Sequence, residues 1–292
     1  MQGSIEIEAP TAANRLRDST VKLADAGIDS PRLNAEVLLA TSYGCSRAAL
    51  LTRLQEPVAA NVDLRFANLL ARRLSREPLQ YIVGSTELWS LDFDVTPDVL
   101  IPRPETERLI ELALSLVRSE RDRTRSRTIC DVGTGSGCIA IALAHELPAA
   151  QVTALDVSAS ALRIAAANAM RNDVADRIRF VASDLFAAVD DQRFDIVVSN
   201  PPYVSTSELD SAQPELAYEP RAALDGGADG LDIIRRLLQA VPQYLASGGW
   251  ALVEIGCDQA DAVVAMTRGA GACAAEVWND YAGLPRVLRA QW

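Results

Sequence analysis

The sequence predicts two domains: a small all-helical domain at the N-terminus and a larger α/β domain built on a doubly wound parallel sheet. Three observations predict this arrangement. Apolar residues between positions 11 and 76 recur at helical spacing, short apolar runs alternate with helical stretches beyond position 127, and a glycine-rich turn follows the first of those runs. A chain of 292 residues is long enough for both domains, at roughly 150 residues per domain.

The N-terminal region is expected to form four or five short helices. Gly27 is expected to end one of them, Ser30 to cap the next and Pro31 to occupy its first turn. Alternating apolar residues from Leu88 to Val95 then favour a β-hairpin, followed by a proline-rich turn and a helix over residues 105–117. The predicted boundaries are residues 1–82 for the helical domain, 83–104 for the hairpin and linker, and 105–292 for the α/β domain.

The α/β domain is expected to contain five parallel strands separated by helices, with the sequences TICDV, VTALDV, IRFVAS, FDIVVS and WALVEIG. Right-handed crossovers between parallel strands place helices on both faces of the sheet. Ligands of such sheets bind beyond the carboxyl ends of the strands, where the strand order reverses. The arginine-rich segment 118–127 contains acidic residues and no aromatic residue, so we interpret it as a solvated linker and not as an RNA-binding patch.

Composition and charge exclude several classes of protein. The 28 basic and 39 acidic residues give a net charge of -11, which argues against a protein that holds duplex nucleic acid mainly through its phosphates. The N-terminus does not resemble a signal peptide and no run of 18 apolar residues occurs, so we expect a cytoplasmic protein that does not enter membranes. The five cysteines form no C-x-x-C pair and are expected to be reduced and mostly buried. The single histidine, His145, is expected to be a solvated or capping helix residue, and no metal site is expected.

The glycine-rich turn DVGTGSGC lies between the first predicted strand and the helix after it. Its residues Gly133, Thr134, Gly135, Ser136 and Gly137 permit a tight turn and let backbone N–H groups approach a ligand at a helix N-terminus. A dinucleotide-binding fingerprint requires its third glycine at position 138, which is a cysteine here. Because many such turns are glycine-rich for steric reasons alone, the loop by itself leaves binding and structural roles open.

Acidic residues end the next two predicted strands. Asp156 closes the second strand, where a carboxylate can accept both hydrogen bonds of a ribose diol. Asp184 closes the third, where it can accept a hydrogen bond from an adenine amino group while Leu185 and Phe186 cover the ring. These positions indicate an adenosine-type ligand, although each acid could instead cap a helix.

Asn200, Pro201, Pro202 and Tyr203 follow the fourth predicted strand directly. The two prolines fix the backbone, so the side-chain oxygen of Asn200 and the carbonyl of Pro201 can accept both hydrogens of a planar NH2 group. Tyr203 offers a flat face for packing against that group. The arrangement suits methylation of an amide or an aromatic amine, whose weakly nucleophilic nitrogen needs orientation and acceptors that strengthen as it becomes positive.

Together these motifs resemble the HemK/PrmC family of peptide chain release factor N5-glutamine methyltransferases, within the class I S-adenosyl-L-methionine-dependent fold. The matching segments cover nearly the whole chain in order: SPRLNAEVLLA, VLIPRPETE, DVGTGSG, SDLF, SNPPYV, EPRAALDGGADGL, VEIG and NDYAGLPRVL. The resemblance implies methylation of the glutamine in the G-G-Q motif of class I release factors. It also implies S-adenosyl-L-methionine as the methyl donor and S-adenosyl-L-homocysteine as the product.

The resemblance further implies roles for individual regions of the chain. The helical domain helps to recognise the release factor, and the turn from Ile101 to Glu105 lines the edge of the site. The glycine loop, Asp156, Leu185 and Asn200 bind the cofactor. The segment from Asn200 to Tyr203 holds the glutamine amide.

Two other functions stay open at this point. A DNA adenine methyltransferase can use the same tetrapeptide for a base flipped out of the duplex, although this acidic chain offers no basic channel or recognition domain. A catalytically silent scaffold could keep the fold for interaction alone. We expect a monomer that does not bind nucleic acid directly. We also expect Arg103 to pair with an acid such as Glu254 and so to fix the proline turn over the pocket.

Overall fold

The computed structural model describes residues 9–119 and 125–292. The chain divides into two compact units after Gly84. The described part of the first unit contains five helices, α1 (Ala12–Asp25), α2 (Pro31–Tyr43), α3 (Arg47–Leu51), α4 (Ala60–Leu74) and α5 (Leu79–Val83). They enclose a core of buried apolar side chains that includes Leu16, Leu38 and Phe66. The helical character predicted for this region is confirmed.

The junction between α1 and α2 follows the prediction in part. Gly27 follows the end of α1 with a φ of 67°, and Pro31 opens α2, as predicted. Ser30 occupies the N-cap position of α2, as predicted, but it has a φ of 50° and makes no capping side-chain hydrogen bond within the described residues. Instead, Asn34 Nδ2 donates to the carbonyls of Asp29 and Ser30, at 3.0 and 3.1 Å, and holds this left-handed turn.

The second unit opens with the predicted hairpin of β1 (Ser85–Leu88) and β2 (Leu91–Asp94), which pair antiparallel. Both turn residues, Trp89 and Ser90, have a φ of 56°, the conformation of a type I′ turn that usually takes Asn-Gly. Two hydrogen bonds hold the bulky Trp89 there. Its backbone N–H donates to Glu107 Oε1 at 2.9 Å, and its indole N–H donates to Glu146 Oε1 at 3.1 Å.

A seven-stranded sheet forms the centre of the second unit, in the order β5-β4-β3-β6-β7-β9-β8. Its strands are β3 (Thr128–Val132), β4 (Gln151–Asp156), β5 (Ile178–Ala182), β6 (Phe194–Ser199), β7 (Leu245–Glu254), β8 (Ala274–Asn279) and β9 (Pro285–Gln291). The helices are α6 (Thr106–Ser119), α7 (Cys138–Glu146), α8 (Ala159–Arg171), α9 (Thr206–Asp210), α10 (Asp232–Tyr244) and α11 (Ala260–Gly269).

The five predicted strands are confirmed as the parallel part of this sheet. The sheet is nevertheless mixed, because β9 runs antiparallel to both β7 and β8, two pairings that the sequence did not predict. Alternate residues of the central strands lie on opposite faces of the sheet and therefore belong to two different hydrophobic cores. Ile129 and Val198 join the core with α6 and α7, whereas Cys130 and Val197 join the core with α10 and α11. The doubly wound architecture is therefore confirmed.

Three smaller predictions have mixed outcomes. His145 is exposed on α7, as predicted. All five cysteines are free, but only Cys130 and Cys138 are buried, and the expectation that most are buried is wrong because Cys257 and Cys273 lie in surface loops. Residues 120–124 of the predicted linker lie outside the described residues. Among the helices that the structure describes, none has the length and apolar character needed to cross a membrane.

Candidate active site

A cavity of about 330 Å³ opens at the carboxyl ends of β3, β4, β5 and β6, next to the point where the strand order reverses between β3 and β6. This is the position at which doubly wound sheets bind ligands, and the volume suits a small organic molecule. Eight of the residues predicted for the site line the cavity: Gly133, Gly135, Asp156, Asp184, Leu185, Asn200, Pro201 and Pro202. Thr134, Ser136, Gly137 and Tyr203 are not among the described lining residues.

The three glycines of the loop differ in what they do. Gly133 and Gly135 have φ values of 76° and 54°, and a Cβ added to either would meet no protein atom within 4 Å. Because both line the cavity, the backbone there is open to close approach by a ligand. A Cβ on Gly137 would instead lie 3.0 Å from Ala165 Cβ. Gly137 therefore permits the packing of α8 against the loop.

Thr134 and Ser136, the polar residues between the glycines of the loop, are buried. Thr134 Oγ1 donates to Asp131 Oδ2 at 2.6 Å, and the N–H of Ala140 donates to the same oxygen at 3.2 Å. The Ser136 carbonyl accepts from Asn168 Nδ2 at 2.9 Å. Asp131 is fully buried, its Oδ1 has no hydrogen-bond partner within the described residues, and burial raises its pKa to about 7. Asp131 therefore supports the loop from within the protein and is not among the described residues that line the cavity.

Asp156 ties the glycine loop to the end of β4. Its Oδ2 accepts from the N–H of Gly135 and its Oδ1 from the N–H of Ser158, both at 2.8 Å. Each carboxylate oxygen can accept a second hydrogen bond. Asp156 lines the cavity, so its remaining acceptor capacity is available to a diol such as that of ribose.

Asp184 and Leu185 form the edge of the cavity after β5. Asp184 is exposed, and its Oδ2 accepts from Arg236 Nη2 at 2.8 Å, so part of its acceptor capacity is already engaged. Leu185 has a φ of 50°, which non-glycine residues seldom adopt and which is common at ligand sites. Phe186 is buried in the core and stacks on Tyr244, with ring centroids 4.4 Å apart.

Asn200 is held by a hydrogen-bond network beside the cavity. Asn200 Nδ2 donates to Thr106 Oγ1 at 3.2 Å, and Thr106 Oγ1 donates to Glu254 Oε2 at 2.8 Å. The Tyr203 hydroxyl donates to Glu254 Oε1 at 3.3 Å. Burial raises the pKa of the fully buried Glu254 to about 7, and burial together with that neighbouring carboxyl raises the pKa of Tyr203.

The backbone of the Asn-Pro-Pro-Tyr segment is supported by a glycine-rich stretch after residue 225. Gln259 Nε2 donates to the carbonyls of Tyr203 and Gly230, at 3.0 and 3.2 Å. A Cβ on Gly226 would lie 2.8 Å from the Pro202 carbonyl, and one on Gly230 would lie 2.4 Å from the Tyr203 carbonyl. This close packing fixes the segment from behind and requires glycine at both positions.

Arg103 pairs with an acid, as expected, but the acid is Glu219 and not Glu254. Arg103 Nη2 lies 2.5 Å from Glu219 Oε1, and the N–H of Ile101 donates to Glu219 Oε2 at 3.1 Å. Glu254 is engaged by Thr106 and Tyr203 instead.

Sequence reasoning missed Thr106, Asp131 and Glu219, which support the site, and assigned the wrong partner to a fourth supporting residue, Glu254. All four lie inside the motif segments PRPETE, DVGTGSG, EPRAALDGG and VEIG. These motifs indicated which segments belong to the site, but a motif alone does not determine which acid pairs with which hydrogen-bond donor.

Comparison with known proteins decides the family. A family model described as "PrmC N-terminal domain" matches residues 15–84, and one described as "Methyltransferase small domain" matches residues 111–227. Proteins named release factor glutamine methyltransferase from Geobacter sulfurreducens, Moorella thermoacetica and Koribacter versatilis are 44%, 43% and 46% identical to this chain. The alignments cover 91%, 96% and 93% of this chain and 91%, 98% and 95% of the relatives.

The chain belongs to the release factor glutamine methyltransferase family. Solved structures agree with this assignment at the level of the fold. The hMettl16 catalytic domain bound to a MAT2A 3′UTR hairpin is 18% identical, with a TM-score of 0.56, over 77% of this chain and 81% of that one. The N-terminal domain of human METTL16 in complex with SAH is 19% identical, with a TM-score of 0.50, over 69% of this chain and 76% of that one. The enzyme therefore has the class I methyltransferase fold that its sequence predicts.

Proposed function

We propose that this enzyme methylates the side-chain amide nitrogen (N5) of the glutamine in the G-G-Q motif of class I release factors, with S-adenosyl-L-methionine as the donor. The observation that carries the proposal is a single cavity lined both by the glycine loop with Asp156 and by Asn200, Pro201 and Pro202. The region proposed for adenosine and the region proposed for the NH2 group therefore share one cavity. The names of the relatives support the release factor as the substrate.

The cofactor would lie along the strand ends from the glycine loop to Asp184. The open backbone at Gly133 and Gly135 admits it, Asp156 accepts from the ribose hydroxyls, and Asp184 and Leu185 border the adenine. Thr134 and Ser136 support the loop from behind, and Gly137 allows the loop to pack on α8. When bound, S-adenosyl-L-methionine supplies an electrophilic methyl group on its sulfonium sulfur.

The Asn-Pro-Pro-Tyr segment would position the substrate amide. Asn200 Oδ1 and the Pro201 carbonyl accept one amide hydrogen each, and Tyr203, anchored through its hydroxyl to Glu254, packs against the planar group. The amide nitrogen would gain the methyl group as the methyl–sulfur bond breaks, with S-adenosyl-L-homocysteine as the leaving group, and would lose one proton to solvent. Because the nitrogen becomes positive during this step, both acceptors bind it more strongly in the transition state than in the ground state.

The two parts of the chain divide the work in this proposal. The helical domain (1–82) recognises the release factor, residues 83–104 join the domains, and residues 105–292 catalyse the transfer. We propose a monomer that works in the cytoplasm, where release factors act, and that does not bind nucleic acid directly. The net charge of -11 supports this last point.

A transfer assay with three acceptors tests the proposal. Purified full-length protein is incubated with methyl-labelled S-adenosyl-L-methionine and, in parallel, with a bacterial class I release factor, its variant with alanine in place of the G-G-Q glutamine, and duplex DNA. We expect label on the intact release factor alone. Label on DNA alone would favour an adenine methyltransferase, and cofactor binding without any transfer would favour a scaffold.

A further inference from the structure

Two buried residues beside the cavity take no part in the proposed contacts with substrate or cofactor. Thr106 is the first residue of α6 and Glu254 the last residue of β7, and they are 1% and 0% exposed. They meet Asn200, which follows β6, in the chain of hydrogen bonds from Asn200 Nδ2 to Thr106 Oγ1 and from there to Glu254 Oε2. Three separate elements therefore converge on one side-chain amide.

The direction of these hydrogen bonds follows from the chemistry of the three groups. An ionised carboxylate can only accept, and a hydroxyl has one hydrogen to donate. Because Thr106 gives its hydrogen to Glu254, it can only accept from Asn200, so the Asn200 group that faces it must be Nδ2. The other end of the same amide, Oδ1, is then left free of Thr106.

Orientation matters because Asn200 lines the cavity. With Nδ2 held by Thr106, Asn200 presents an acceptor to an incoming NH2 group. If the amide rotated by half a turn, it would present N–H groups to the N–H groups of the substrate, and the two sets of donors would repel one another. Side-chain amides rotate readily about their last bond unless a partner distinguishes their two ends.

We propose that Glu254, acting through Thr106, is a positioning residue that fixes the side-chain amide of Asn200 with its oxygen toward the substrate nitrogen. This role rests on the proposed function. It adds a requirement that the tetrapeptide alone does not contain, namely a buried acid 54 residues further along the chain. Tyr203, which donates to the other oxygen of Glu254, anchors the far end of the tetrapeptide to the same acid.

Three variants of full-length protein test the role, assayed at about pH 8 so that Glu254 is ionised. Thr106→Val keeps the shape of the side chain but removes both hydrogen bonds, and Thr106→Ser keeps the hydroxyl. Thr267→Val is the matched control, because Thr267 is also fully buried in this unit, its hydroxyl donates to the Val263 carbonyl of its own helix, and it is not among the described residues that line the cavity. Measurements are kcat and KM with the release factor, the Kd for S-adenosyl-L-homocysteine, and the melting temperature.

We expect Thr106→Val to lower kcat by about tenfold to a hundredfold, the effect of losing or misorienting one preorganised transition-state partner. The KM for the release factor and the Kd for S-adenosyl-L-homocysteine should stay within about threefold of wild type, because the affected contact strengthens mainly in the transition state. Thr106→Ser should retain kcat within about threefold, and Thr267→Val should match the wild type.

Wild-type kcat in Thr106→Val would overturn the inference. So would equal losses in Thr106→Ser and Thr106→Val, or a fall in kcat accompanied by matching losses of cofactor affinity and melting temperature, since these would indicate a purely structural role. In all these cases wild-type turnover with the release factor leaves the proposed function intact. A wild type that binds S-adenosyl-L-homocysteine but transfers no methyl group to the release factor would instead contradict the proposed function and this inference with it.

Discussion

Removing the carboxyl group of Glu219 should destabilise the second unit and weaken cofactor binding together. Its side chain is 2% exposed and accepts two hydrogen bonds, from the backbone N–H of Ile101 at 3.1 Å and from Arg103 at 2.5 Å. These contacts hold the turn that follows Pro97 to Leu100, four residues that line the cavity. Pro220, the neighbour of Glu219, lines it too.

The magnitude can be worked from the two contacts. A buried N–H left without an acceptor, as Ile101 would be in Glu219→Ala, costs about 1 to 3 kcal/mol. The Arg103 side chain is 30% exposed, so solvent can replace part of that contact, and its loss adds about 1 kcal/mol. We therefore expect Glu219→Ala to lower the free energy of unfolding by about 2 to 4 kcal/mol. Glu219→Gln keeps an acceptor for Ile101 and should lose about 1 kcal/mol.

Urea unfolding followed by tryptophan fluorescence measures this free energy in the right part of the chain. All four tryptophans, at positions 89, 250, 278 and 292, lie in the second unit. Glu276→Ala is the matched control, because Glu276 is 50% exposed and its ion pair with Arg289 should contribute less than about 1 kcal/mol. A loss in Glu219→Ala no larger than in Glu276→Ala, with an unchanged m-value and cofactor affinity, would refute the reasoning.

Three further predictions concern catalysis, cofactor binding and pH. Asn200→Ala should lower kcat by about a hundredfold to a thousandfold while S-adenosyl-L-homocysteine still binds in calorimetry, and near-normal turnover would refute the role of its oxygen. Asp156→Ala should weaken the binding of S-adenosyl-L-homocysteine by at least about tenfold, because it removes a ribose acceptor and the hydrogen bond that holds the glycine loop. Asp184→Ala should weaken this binding less, because Asp184 is exposed. The reverse order in calorimetry would contradict the assignment. Burial raises the pKa of Glu254 from 4.5 to about 7. Between these two pH values the folded protein keeps a proton that the unfolded chain has lost, so the free energy of unfolding falls as the pH rises. Wild type should therefore lose about 2 to 3 kcal/mol more than Glu254→Gln between about pH 5 and pH 8, and parallel curves in urea titrations would contradict this.

The parallel part of the fold could be predicted because its information is local. Short apolar runs between helical stretches identify buried strands, and the position of a residue at a strand end identifies the edge of the sheet where a ligand binds. That reasoning placed the glycine loop, Asp156 and Asn200 at one edge, and the structure puts all three on one cavity.

The antiparallel strands could not be recognised in the same way. β9 begins with proline and contains two arginines, so its sequence lacks the apolar run that identified the parallel strands. Arg289 fits the sheet because its guanidinium lies 5.2 Å from the ring of Trp250 and 4.9 Å from that of Trp278, so aromatic faces on neighbouring strands cover its charge. Those neighbours are known only after the strands have been paired.

The supporting acids were unpredictable for a similar reason. Arg103 could reach several acids, and the choice of Glu219 over Glu254 depends on which loop lies against the proline turn. Glu254 lies at the end of a strand that the sequence identifies as buried. Its hydrogen-bond donors, Thr106 and Tyr203, come from distant segments of the chain, so the sequence near Glu254 does not indicate its role. Local pattern thus identifies the edge of the site, and tertiary packing determines the partners that orient it.

Locating the transferred methyl group tests the central claim most directly. A bacterial class I release factor is incubated with the enzyme and S-adenosyl-L-methionine, digested, and sequenced by tandem mass spectrometry. The account predicts one added methyl group on the side chain of the G-G-Q glutamine, and about a hundredfold or more less of that modified peptide in an equally short incubation when Asn200→Ala replaces the wild type. A methyl group on any other residue of the release factor, or an unmodified G-G-Q peptide after complete turnover of the cofactor, would contradict it.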